Sequence, residues 1–221
     1  MTQSTLVNVP FLRGLSMSAL LLVLGACTAG ERTATAASAT AIAKATAPAP
    51  ASIAKPADAL QALIQESGVR CTDTKAAHGC TAGNLDAGDF YDVELSPDCG
   101  DDGFFAGVAE AKGVDALNGV PTTGSDVQPR AKFAKGQLVC IQGIARAGQN
   151  PHYYYVIAVP TSSVAKCKGN KLCSQYGDRP IQRIAAGNGD ACRVTSPGIY
   201  TGDCAQGWVN ASALDVFSNG M

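Results

Sequence analysis

The chain reads as a mainly β domain, a small barrel or sandwich entered by one short helix and held together by disulfides. Three observations predict this. One helical pattern occurs, at residues 56–68; six short strand-like runs follow it, separated by Gly, Pro, Asn and Asp; and eight cysteines fall within the last 164 of 221 residues. With 46% hydrophobic residues and 16% charged ones, composition excludes a disordered polyelectrolyte, a collagen-like repeat and a multi-pass membrane protein.

Residues 1–26 read as a secretory leader. Arg13 precedes an apolar stretch, Leu15 to Ala26, that is too short to span a hydrocarbon core of roughly 30 Å. The stretch ends in Leu24-Gly25-Ala26-Cys27, which resembles the bacterial lipobox. That resemblance implies cleavage before Cys27 and a diacylglyceryl group on its thiol, and several acyl chains at ~0.8 kcal/mol per buried CH₂ anchor a chain stably. Thr28 stands where Asp would mark inner-membrane retention, so the expected address is the outer membrane of a bacterial envelope, facing the periplasm. Residues 28–57 hold 13 Ala, 5 Thr, 3 Pro and 2 Ser, which leaves no packed face to build. From Cys27 to residue 57 the chain is therefore read as a tether, with a mean reach of roughly 30 Å.

The folded domain is expected over 58–221. Its helix begins at Pro56, places Leu60, Leu63 and Ile64 on one face and stops at Gly68. The strand-like runs are 90–95, 104–111, 138–144, 153–159, 191–194 and 208–211; in the third, Val139, Ile141 and Gly143 are expected opposite Leu138, Cys140, Gln142 and Ile144. An even set of cysteines in an exported chain predicts a disulfide framework, here Cys71, Cys80, Cys99, Cys140, Cys167, Cys173, Cys192 and Cys204. Cys71/Cys80, Cys167/Cys173 and Cys192/Cys204 bracket short Gly-containing segments, with Cys99/Cys140 as the remainder, although eight cysteines allow 105 pairings.

Val114 to Pro121 with Leu117-Asn118-Gly119, then Lys135-Gly136-Gln137-Leu138-Val139, then the 153–159 run and Gly207-Trp208-Val209, follow a family order. The stretch 114–217 resembles a bacterial Src-homology-3-like domain, with Gly119 in place of the usual Arg and a Cys-rich insertion at 161–204. The resemblance implies a small barrel and a role in binding cell-wall peptides or proteins. The aromatic residues Tyr153, Tyr154, Tyr155 and Trp208 are its candidate ligand surface.

Catalytic and metal patterns are weak. His78-Gly79-Cys80 resembles part of the Ser-His-Gly-Cys core of L,D-transpeptidases, but no Ser precedes it and Cys71 offers Cys80 a bridge partner. No G-x-S-x-G, Walker or dinucleotide-binding pattern occurs, and zinc is disfavoured by the absence of C-x-x-C. Seven acids lie in 86–102, ending in Asp98, Asp101 and Asp102, and their spacing does not fit the helix-loop-helix calcium pattern. Neither a cofactor nor a metal is expected. Residues 58–129 carry net −10 and 130–221 net +6, so the domain either steers a cationic partner or interleaves its charges; its net negative charge and its leader disfavour nucleic acid. The expected function is a non-enzymatic, lipid-anchored binding module for peptidoglycan or a periplasmic protein. The alternative is an inhibitor or immunity protein whose patch at Asp98, Asp101 and Asp102 blocks a basic, lysozyme-type hydrolase.

Overall fold

The computed structural model describes residues 56–185 and 191–217. The leader, Cys27 and nearly all of the tether lie outside them. Helix α1 spans Pro56–Ser67 and ends at Gly68, whose φ of +71° is the left-handed conformation that Gly adopts without a Cβ penalty. Its buried residues are Ala59, Leu63, Ile64 and Ser67. Two of its terminal carbonyls, which have no partner within the helix, find side-chain donors: Trp208 Nε1 donates to Ser67 O at 2.8 Å, and Arg130 Nη1 to Glu66 O at 3.5 Å.

Thirteen strands follow: β1 Arg70–Asp73, β2 His78–Asn84, β3 Asp89–Leu95, β4 Phe104–Val108, β5 Val114–Leu117, β6 Pro129–Phe133, β7 Leu138–Ala147, β8 Asn150–Ala158, β9 Ile181–Arg183, β10 Arg193–Ser196, β11 Ile199–Thr201, β12 Gln206–Asn210 and β13 Leu214–Val216. All of their ladders are antiparallel. Eleven strands share one sheet in the order β1-β2-β3-β7-β8-β12-β5-β6-β9, with β4 pairing β7 and β13; β10 and β11 form a separate hairpin. Ala106, Val108, Ala116, Phe133, Val139, Ile141, Val156 and Val209, drawn from six strands, meet in one cluster, so the sheet curls around a core. Among the described residues no sheet closes into a barrel, because the path ends at β1 and β9. The mainly β architecture agrees with expectation, and the closed Src-homology-3-like barrel does not appear.

Several local expectations need correction. Alternation along β7 holds as far as Ile141, and then Gln142 is inserted as a bulge: Ile141 pairs Val156 whereas Gly143 pairs Tyr155. One extra residue flips every later side chain to the other face. Ile144 therefore packs with Val139 and Ile141, not opposite them, while Ala145 joins the cluster under α1. Gln142 itself is buried and donates from Nε2 to Pro97 O at 3.0 Å. The run expected over 104–111 stops as a strand at Val108, and a second short helix, α2 at Lys171–Gln175, lies in the Cys-rich segment. There Tyr176 packs so closely on Gly107 that a Cβ at 107 would sit 1.9 Å from the ring, which requires Gly at that position.

All eight domain cysteines pair: Cys71–Cys80, Cys99–Cys140, Cys167–Cys173 and Cys192–Cys204. The two longest-range sulfurs are in the interior, where Cys99 and Cys140 pack with Leu138, Ile157, Tyr176 and Phe217. No helix among the described residues is long and apolar enough to cross a membrane.

Candidate functional site

The aromatic quartet divides between the two faces of the sheet. Trp208 and Tyr155 are 0% exposed, stack edge-on with ring centroids 5.4 Å apart and lie under α1 with Leu63, Ile64 and Val93. Tyr154 is one residue along β8, so it points into the curled core with Val139 and Val156. Side chains without accessible surface cannot touch a ligand, so the expected aromatic platform is core instead. Burial with a satisfied indole N–H is the usual state of such a Trp. Tyr153 alone is partly exposed, beside Tyr91 of β3 at 5.6 Å, with the exposed His152 5.7 Å from Tyr91.

An open groove lies elsewhere, between the β1–β2–β3 ribbon and the 118–128 connection. It encloses about 720 Å³, within the range of roughly 300–1,000 Å³ typical of ligand sites. Leu85, 72% exposed, and the half-buried Phe90 supply its apolar surface, Thr122 and Ser125 supply hydroxyls, and Arg70 supplies a cation. Asp89 builds this groove: its carboxylate accepts from Asn84 N at 3.3 Å and from Thr123 N, tying the β2–β3 turn to the 118–128 connection. The bond from Thr123 N holds the Asp89 carboxyl below its usual range. Asn84 in turn accepts from Asp86 N at 3.0 Å, which caps the 3₁₀ turn Leu85–Ala87 and presents Leu85 to solvent. An apolar residue standing alone in Asn84-Leu85-Asp86-Ala87-Gly88-Asp89 has no neighbour to pack against. That isolation is the signal in the sequence that marks it as exposed.

Asp98, Asp101 and Asp102 are exposed on the loop that carries Cys99, so the expected acidic patch exists as a surface. The loop is fixed by the Cys99–Cys140 bridge, by Gly100 N donating to Asp98 Oδ1 at 2.7 Å and by Cys99 N donating to Gly198 O at 2.9 Å. It borders a hollow of about 320 Å³ shared with Ser163–Ala165 and Gly198. Among the described residues no group of acids, His and Cys has the arrangement of a metal site. The two charge halves interleave in part, since Glu94 meets Arg146 and Asp115 meets Lys132, each at 3.6 Å. Cys80 is bonded to Cys71 and buried, so its sulfur is no nucleophile in this state.

Comparison with known proteins adds no relative. No family model, no curated protein and no solved structure matches the chain. Function must be argued from the site itself.

Proposed function

We propose that the protein is an exported, lipid-anchored, non-enzymatic binding module of the bacterial envelope, held at Cys27 and receiving its ligand in the groove of Leu85 and Phe90. The observation that carries this reading is the cysteine arithmetic. Eight of nine cysteines pair within the domain, and the ninth stands at the lipobox-like Cys27. Complete pairing fits an oxidising compartment, and a leftover cysteine at the cleavage point fits acylation. The motif order over 114–217 supports an opened relative of the Src-homology-3-like module, and Thr28 favours the outer membrane, facing the periplasm. The ligand is peptidoglycan or a periplasmic protein. Mass spectrometry of the native product is expected to give a diacylated, N-terminally blocked Cys27, and purified peptidoglycan is expected to co-sediment the soluble domain through the groove. Leu85→Asp should abolish co-sedimentation with folding intact; an unmodified amino terminus or wild-type retention by that variant overturns the reading.

A second reading rests on the exposed carboxylates of Asp98, Asp101 and Asp102, held on a loop clamped at both sides. A rigid anionic loop suits the blockade of a basic hydrolase. Stoichiometric inhibition of a lysozyme-type enzyme, lost when the three become Asn, would favour this inhibitor role over peptidoglycan capture.

A further inference from the structure

Between the last turn of α1 and the start of β12 lie two adjoining cavities of about 190 and 100 Å³, with Glu66 and Gln206 in the walls of both. Neither shares a lining residue with the groove. Two pairs of opposite charge line the larger one. Arg183 Nη1 lies 2.9 Å from Asp203 Oδ2, and Arg130 stands beside Glu66, reaching its backbone oxygen. Gln206 Nε2 donates to Glu66 Oε2. The Cys192–Cys204 bridge and the β12 ladder hold this wall in place.

A buried hydroxyl nearby, Thr201 Oγ1, has no hydrogen-bond partner among the described residues. Thr201 lines the smaller cavity, and the buried Tyr155 hydroxyl faces the Arg130 side chain within the field of Glu66. An orphaned polar atom is rare in a folded protein and points to a bound molecule, water included. An apolar guest would take water from four charges without replacing its hydrogen bonds. An anion meets Glu66 and Asp203, and a cation meets Arg130 and Arg183. A molecule with both signs, small enough for the volume, leaves no pair uncompensated.

We infer that the cleft binds an amino-acid-sized zwitterion, its carboxylate on Arg130 and its ammonium on Glu66. The site does not depend on the ligand of the groove. Calorimetry on the disulfide-intact domain, with glycine, D-alanine and L-alanine as probes beside alaninamide and propionate, tests it. At least one of the three amino acids should bind, and alaninamide, lacking the carboxylate, and propionate, lacking the ammonium, should each bind at least tenfold more weakly. Arg130→Gln should erase the preference over alaninamide, and Glu66→Gln the preference over propionate. Absence of binding by all three amino acids at millimolar concentration, which leaves a cavity filled by water alone, overturns the inference. So does equal binding of either single-charge probe, a result read on the wild-type domain whatever the variants do.

Discussion

Beneath α1, Trp208 and Tyr155 are fully enclosed and the carboxyl of Glu66 is partly withdrawn from water; in the groove, Leu85 lies open and the carboxyl of Asp89 rests on backbone N–H groups. Similar residue types thus serve opposite ends. Large apolar groups stabilise the first region and are free to bind in the second. Burial raises the Glu66 pKa, against the hydrogen bond from Gln206 and the charge of Arg130, whereas accepted hydrogen bonds lower that of Asp89. What separates the two regions is the presence of a covering helix.

The sharpest way to break the comparison is to exchange the fates of the apolar groups. Trp208→Ala removes the largest buried ring and the donor to Ser67 O, and should cost about 3–5 kcal/mol in urea unfolding. Leu85→Ser should change stability by less than about 0.5 kcal/mol and reduce ligand capture instead. Equal stability losses would erase the distinction between core and surface.

Next in size are the staples. Cys99–Cys140 closes a separation of 41 residues and Cys71–Cys80 one of 9. Restriction of the unfolded chain makes the longer bridge worth about 1.3 kcal/mol more, within losses of about 2–5 kcal/mol for each. Paired Ala substitutions compared by denaturant titration should reproduce that order. A larger loss at Cys71/Cys80 would locate their effect in the folded β1–β2 ribbon instead.

Much of this architecture was legible in the chain. Leu60, Leu63, Ile64 and Gly68 carry the helix in their spacing, and the three short Cys brackets pair as their neighbourhoods predict. The inversion after Ile141 was not, because Gln142 differs from an ordinary alternating residue only through its bond to Pro97, 45 residues away. Barrel closure was unreadable for the same reason: short strands and turns specify local pairing, whereas meeting of β1 and β9 depends on the whole sheet. The aromatic quartet misled because Tyr and Trp suit both a binding surface and a core. What decides between them is α1, whose Ser67 carbonyl takes the indole N–H from 141 residues away. The polar cleft has no signature in the sequence because Glu66, Arg130 and Gln206 are far apart in the chain.

The carboxylates permit a finer test. The raised pKa of Glu66 means that the folded state holds its proton more tightly than the unfolded chain. Its contribution is fully present below the ordinary value of 4.5 and is lost as pH rises through the higher folded value. Glu66→Gln should flatten this part of the stability profile and leave the domain more stable near neutrality, with the Gln206 contact kept. A profile unchanged by the substitution would show that Glu66 is effectively solvated, and the contrast with Asp89 would lose one side.

The smallest expected effect belongs to Asp89, whose sign is reversed. Its depressed pKa means that the unfolded chain binds the proton more readily. The stabilisation is present above the ordinary value of 3.8 and disappears as pH falls through the folded one. Asp89→Asn keeps the shape but replaces one acceptor oxygen by a donor, so it cannot accept from both Asn84 N and Thr123 N. The acid limb of the profile should become shallower, and the Thr123 amide should exchange its hydrogen faster, with little change in global stability at pH 7. Because the groove is bounded by the segment that Thr123 ties down, ligand capture should weaken in the same variant. Faster exchange with undiminished capture would mean that Leu85 and Phe90 bind without the 118–128 wall, and would narrow the site to the β2–β3 turn alone.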